Sequence, residues 1–135
     1  EQKTKIYNKY KEAFRDLPIT LQPYEADTKP NHWLSAATID KGCDVTFIDI
    51  MDRLQEENVE TRPVWKPMHM QPMYRMHEFV TREGSGRCRT NAYIAGGCAD
   101  VGADIFDRGL CLPSDNKMTP EQQDAIIQTI KDCFE

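Results

Sequence analysis

The 135-residue chain has no excess of positive charge: its formal net charge is -5 and its pI is about 5.2. Nucleic acids and anionic membrane surfaces favour basic partners, so neither is expected as a ligand. No apolar run approaches the roughly 20 residues that span a bilayer. The opening Glu1-Gln2-Lys3-Thr4-Lys5 also lacks the apolar core of a signal peptide, so a soluble, cytoplasmic protein is expected. The five cysteines (Cys43, Cys88, Cys98, Cys111, Cys133) are odd in number and include no C-x-x-C pair and no histidine at metal spacing. They read as free thiols of a reducing compartment, with Cys111 and Cys133 in the core and Cys88 exposed; neither a disulfide framework nor a zinc site is expected. A Gly-rich phosphate loop, G-x-S-x-G, H-E-x-x-H and a paired-carboxylate motif are all missing, so the chain holds no complete catalytic set. Internal repeats and low-complexity tracts are missing too. The length fits one domain with its own core and is too short for a typical two-domain enzyme. The chain starts without Met, on residues that already read as helix, which suggests a piece of a longer polypeptide.

What the chain does have is a run, Thr61-Arg62-Pro63-Val64-Trp65-Lys66-Pro67-Met68-His69-Met70-Gln71-Pro72, in which three prolines punctuate aromatic, sulfur-containing and cationic side chains. Proline fixes φ, removes a backbone donor and pushes the preceding residue toward extended geometry. An extended, kinked, non-helical path is therefore expected, with Arg62, Trp65, Lys66 and His69 held in set directions. Such a loop suits an anion-bearing ligand. His69 has Lys66 three residues before it in the same rigid turn, and a hydrogen-bonding or acid-base role stands level with a packing role. His32 and His77 read as surface or packing residues. Arg62 and Lys66 could bind carboxylate or phosphate, arginine through its fork and lysine as a point charge, against a default of solvated cations. Trp65 and Met68 read first as packing residues, although a tryptophan can cover a sugar or base while its edge stays packed.

Around this run the periodicities give an ordered set of elements. Ile6, Tyr7, Tyr10, Ala13, Phe14 and Leu17 recur at helical spacing between Thr4 and Asp16, and Ile19 to Gln22 alternates like a short strand. Trp33 to Ile39 reads as a central strand. A helix capped by Asp44 follows, with Phe47, Ile48, Met51 and Leu54 inward and Asn58 as its stop. Val59 to Arg62 is extended. Glu78 to Asn91, with Arg82, Arg87 and Arg89, reads as a mobile surface loop, and Gly96-Gly97 as a break. Cys98 to Arg108 is a short helix with Val101, Ile105 and Phe106 inward, closed by a left-handed Gly109. Leu110 to Leu112 is a short strand. Thr119-Pro120-Glu121-Gln122 starts the last helix with a capping box, and Ile126, Ile127, Ile130, Cys133 and Phe134 form its apolar face. The pattern predicts a two-layer α+β domain with a small, mostly antiparallel sheet covered by helices on one face. The helices carry more apolar surface than such a sheet can cover, and the surplus is expected on the first helix, facing another domain or subunit.

Two of these stretches, Arg62 to Pro72 and Arg108-Gly109-Leu110-Cys111-Leu112-Pro113-Ser114, resemble the C-terminal part of the DegT/DnrJ/EryC1/StrS family of pyridoxal-phosphate-dependent sugar aminotransferases. Asn31-His32-Trp33-Leu34 entering a strand, Ile39-Asp40 leaving it and the capped helix at Thr119 agree in order, so the resemblance covers nearly the whole chain. It implies a type I aminotransferase fold whose large cofactor-binding domain is missing here, leaving residues 1-135 as the small C-terminal domain. It also implies pyridoxal phosphate in the parent enzyme with none bound to this chain alone, a homodimer, and a nucleotide-linked keto-sugar as substrate. By the same resemblance His69 contacts the sugar, Trp65, Lys66 and Met68 shape the cleft with Arg62 beside them, and Lys66 is not the Schiff-base lysine. The stretch Phe79 to Ile94 is longer and richer in arginine than in many members. A non-catalytic sugar-nucleotide-binding module or a dimerisation domain is the alternative.

Overall fold

The computed structural model describes residues 1–74, 77 and 100–135. Arg75, the loop expected over Glu78 to Asn91, the wider arginine-bearing stretch to Ile94, Gly96-Gly97, Cys88 and Cys98 lie outside the described residues. The chain divides into two compact units, Glu1–Pro63 with Arg108–Glu135, and Val64–Asp107.

In the first unit, Ile6, Tyr7 and Tyr10 form the buried side of α1 (Gln2–Ala13), and Phe14 closes its last turn. Strands β1 (Ile19–Leu21), β2 (Ser35–Ile39), β3 (Arg62–Pro63) and β4 (Gly109–Leu112) form one antiparallel sheet in the order β1-β2-β4-β3. Ile19 faces Ile39, Leu21 faces Ala37, and Ala37 in turn faces Leu110. Period-two alternation therefore gathers Ile19, Leu21, Ala37, Ile39, Leu110 and Leu112 on one side. The apolar faces of α1, α2 (Phe47–Glu56) and α4 (Pro120–Asp132) complete a single core against that side. This is the expected two-layer α+β arrangement.

Several local expectations are corrected. β2 starts at Ser35, and Trp33 lies before it, largely exposed. The cap of α2 is Thr46, not Asp44: its hydroxyl accepts from Asp49 N–H and the Asp49 carboxylate accepts from Thr46 N–H at 2.8 Å, a complete capping box. Ile50 is buried in place of Ile48. At 3.6 residues per turn, Ile50 lies about 65° from the centre of the Phe47/Met51/Leu54 stripe and Ile48 about 95° from it, so Ile50 wins the core. Asn58 does stop the helix. It adopts φ 58, while Asn58 N–H reaches Gln55 O at 3.0 Å and Val59 N–H reaches Leu54 O at 2.9 Å, the paired bonds of a Schellman ending. Gly109 is not a left-handed terminator; it is the first residue of β4, paired with Thr38. The Thr119 box is present as expected, with Pro120 in the first helical turn and Gln122 as its reciprocal partner.

Cys111 and Cys133 take the core or near-core places expected, and burial raises the pKa of both thiols. The surplus apolar surface does not lie on α1, whose stripe is buried. Among the described residues the large exposed apolar side chains are Trp33, Ile48, Trp65, Met68, Met73, Val101 and Ile105.

Ser35 is wholly buried and its hydroxyl has no hydrogen-bond partner, although its backbone N–H donates to Ser114 Oγ at 3.0 Å. A desolvated hydroxyl without a partner costs about 1–3 kcal/mol. Ser35→Ala removes that cost and keeps the backbone bond, so the urea midpoint is expected to rise, by roughly 1 kcal/mol of stability. A fall in the midpoint would show that the hydroxyl is satisfied.

Candidate functional site

The proline-punctuated run does not stay extended. It forms two 3₁₀ turns, Met68–Met70 and Pro72–Tyr74, with Met70 N–H bonded to Pro67 O at 3.0 Å and Tyr74 N–H to Gln71 O at 2.9 Å. Proline forbids continued α-helix but tolerates the first place of a turn, where its missing N–H has no partner to lose. The pre-proline restriction survives at Gln71, which is extended at φ -69, ψ 141 between the turns.

In the second unit the first turn and the residues before it meet α3 (Val101–Arg108) and the preceding Asp100 at three points. Lys66 Nζ stands 6.0 Å from the centre of the Phe106 ring, at the limit of a cation–π contact. The Pro67 ring lies against Gly102, close enough that a β-carbon there would sit 3.3 Å from Pro67 Cγ. His69 Nε2 lies 2.5 Å from Asp100 Oδ2. The loop thus runs antiparallel along a face made by Asp100, Gly102 and Phe106.

That face also corrects the expected orientation of α3. Ala103 is its buried residue, Phe106 is half-buried, and Val101 and Ile105 are exposed. On a helical wheel Gly102, Ala103 and Phe106 share one side, and Val101 lies nearly opposite. Asp100 is the residue that sequence reasoning missed. With the helix expected from Cys98, Asp100 fell inside the first turn; in the structure it is the cap, its Oδ1 accepting from Ala103 N–H at 2.9 Å. An aspartate before an apolar helix is a known cap signal, weakened here because Ala103 cannot complete a capping box.

The predicted site residues fall in both units. Lys66 and His69 are held by α3. Trp65 and Met68 flank them with 63% and 61% of their surface open. Arg62 belongs to β3 in the first unit and is paired with Glu60, Nε to Oε1 at 2.8 Å. Of the other histidines, His32 is a packing residue, its ring 4.4 Å from Tyr7 and 5.0 Å edge-on from Tyr24, and burial lowers its pKa. His77 is exposed beside Tyr74. Among the described residues no cluster of His, Cys, Asp or Glu could hold a metal ion, and no helix is long and apolar enough to cross a membrane.

A small antiparallel sheet backed by three helices is shared with part of aminotransferases of the type I fold. Two solved structures show the same fold. A DegT DnrJ EryC1 StrS aminotransferase from Brucella abortus matches with a TM-score of 0.74 at 20% identity, over 98% of this chain and 30% of that one. PseC of Helicobacter pylori, an aminotransferase involved in the biosynthesis of pseudoaminic acid, matches with a TM-score of 0.70 at 16% identity, over 98% and 32%. The chain belongs to the DegT/DnrJ/EryC1/StrS aminotransferase family, whose model matches residues 1–131. It is 35% identical over 135 residues to the candidate pyridoxal phosphate-dependent aminotransferase EpsN of Bacillus subtilis (strain 168), spanning 99% of this chain and 31% of EpsN. The chain thus spans about a third of the relatives it matches.

Proposed function

We propose that residues 1–135 are the small C-terminal domain of a pyridoxal-phosphate-dependent aminotransferase that moves an amino group from an amino acid, glutamate in this reading, to a nucleotide-linked keto-sugar. Family membership across residues 1–131 supports the reaction class. The observation that carries the role of this chain is the loop pinned to α3, which fixes Lys66 and His69 while presenting Trp65 and Met68 to the outside. An aromatic face beside hydrogen-bonding and cationic groups suits a hydroxylated, phosphate-linked ligand. The exposed Val101 and Ile105 supply apolar surface that a larger domain of the same polypeptide would cover.

The described residues do not assemble a cradle for pyridoxal phosphate. Lys66 is turned onto Phe106 and Arg62 onto Glu60. In this reading the cofactor, which supplies the amino-group transfer chemistry when bound, belongs to the larger domain, and the parent enzyme is a cytoplasmic homodimer. The residues of this chain bind and orient the sugar: His69 hydrogen-bonds it, Trp65, Lys66 and Met68 wall the cleft, and Arg62 is a further substrate contact. The chain alone is expected to be inactive.

Incubation of the isolated chain with pyridoxal phosphate and borohydride, followed by mass spectrometry, tests this assignment. No stoichiometric label is expected; full labelling of a single lysine would sink it. Calorimetric titration of the same chain with a UDP-linked sugar is expected to show no binding, because half of the cleft is elsewhere. Micromolar binding would favour a free-standing binding module instead.

A further inference from the structure

We infer that Asp100 is the positioning residue of the candidate site, one carboxylate that starts α3 with one oxygen and fixes the orientation and tautomer of His69 with the other. Its Oδ1 accepts the Ala103 N–H at 2.9 Å, its backbone carbonyl accepts Asp104 N–H at 3.0 Å, and its Oδ2 lies 2.5 Å from His69 Nε2. The Asp100 side chain is 5% exposed and that of His69 21%, so water competes poorly for the pair. An ionised carboxylate only accepts, which places the proton of neutral His69 on Nε2. A carboxylate behind an imidazole is a general means of setting which ring nitrogen carries the proton and which way the ring faces. Here the same group is also bound to a helix terminus, so the ring is referenced to the axis of α3 and not to the loop that carries it. That His69 meets a sugar rests on the function proposed above; that Asp100 orients His69 does not.

The two duties can be separated by substitution. Asparagine caps helices as well as aspartate does. Asp100→Asn therefore preserves the start of α3 through its one oxygen, and turns toward His69 Nε2 an amide NH2 that only donates, which favours the Nδ1–H tautomer. Asp100→Ala loses both duties.

The experiment is nitrogen-15 NMR of the histidine rings in the full 135-residue chain at a pH where His69 is neutral, with Ala103 amide protection as the readout of the cap. The wild type is expected to show His69 as the Nε2–H tautomer. Asp100→Asn is expected to keep Ala103 protected while His69 shifts toward the Nδ1–H tautomer, and Asp100→Ala to mix the two tautomers and lose the protection. A wild-type Nδ1–H tautomer, or a tautomer population unchanged in Asp100→Asn, overturns the inference. No cofactor, substrate or second domain enters the measurement. A failed aminotransferase assignment would therefore leave its result standing, and a failed tautomer result would leave the assignment standing.

Discussion

Replacing Leu54 with alanine is expected to cost about 2–5 kcal/mol of stability, the range for deleting a fully buried leucine side chain. Leu54 has no exposed surface and sits in the one core that α1, α2, α4 and the inner face of the sheet share. It is also the residue whose carbonyl receives Val59 N–H in the ending of α2, so the helix terminus is fixed over the same side chain and cannot easily settle into the cavity. Domains of this size are stable by roughly 5–15 kcal/mol, so the loss is a large share of the whole. In urea the midpoint should fall while the denaturant slope stays the same, because the surface exposed on unfolding hardly changes. Ile48→Ala, six residues earlier on the same helix, is the control: with 54% of its surface exposed it should change stability by less than about 0.5 kcal/mol. Equal losses at the two positions would mean that the inner face of α2 is centred on Ile48.

Two isoleucines of α2, Ile48 and Ile50, show what could be read from the sequence and what could not. The element order, the central place of β2, the α4 capping box and the stop at Asn58 follow from local rules that each residue satisfies by itself. The inner face of α2 was harder, because Ile48 and Ile50 flank the same stripe on opposite sides and only the smaller angle of Ile50 from its centre separates them. In α3 the apolar residues Val101 and Ile105 misled for a related reason. Apolar periodicity locates a stripe but not what covers it, and among the described residues Val101 and Ile105 stay exposed. The site was legible in part. Proline spacing marked the loop and His69 within it, yet the partner of His69 is 31 residues away, and no local pattern announces a cap that also serves a distant ring.

Gly102→Leu is expected to lift the loop from α3 and abolish the His69–Asp100 pair. A β-carbon at Gly102 already comes 3.3 Å from Pro67 Cγ and 3.5 Å from Asp100 Oδ1. Alanine can be accommodated: its helix propensity exceeds that of glycine by about 1 kcal/mol, which offsets the tight contact with the proline ring. Gly102→Ala should therefore stay within about 1 kcal/mol of the wild type and keep the His69 signals in place. Leucine differs because long helical side chains lean toward the helix N-terminus, here toward Asp100, and its extra carbons need the space that Pro67 fills. A proline ring cannot turn aside as a flexible side chain would, so the backbone of the turn must move, at a cost of about 1–3 kcal/mol. The helix itself should persist, since leucine is a better helix former than glycine. In the NMR experiment Gly102→Leu should thus mix the His69 tautomers as Asp100→Ala does, while keeping the Ala103 protection that Asp100→Ala loses. On the function proposed above, displacing Trp65, Lys66 and His69 by even about 1 Å should lower turnover of the assembled enzyme on the order of 100-fold. Unchanged His69 signals with leucine at position 102 would show that the loop does not depend on its contact with α3.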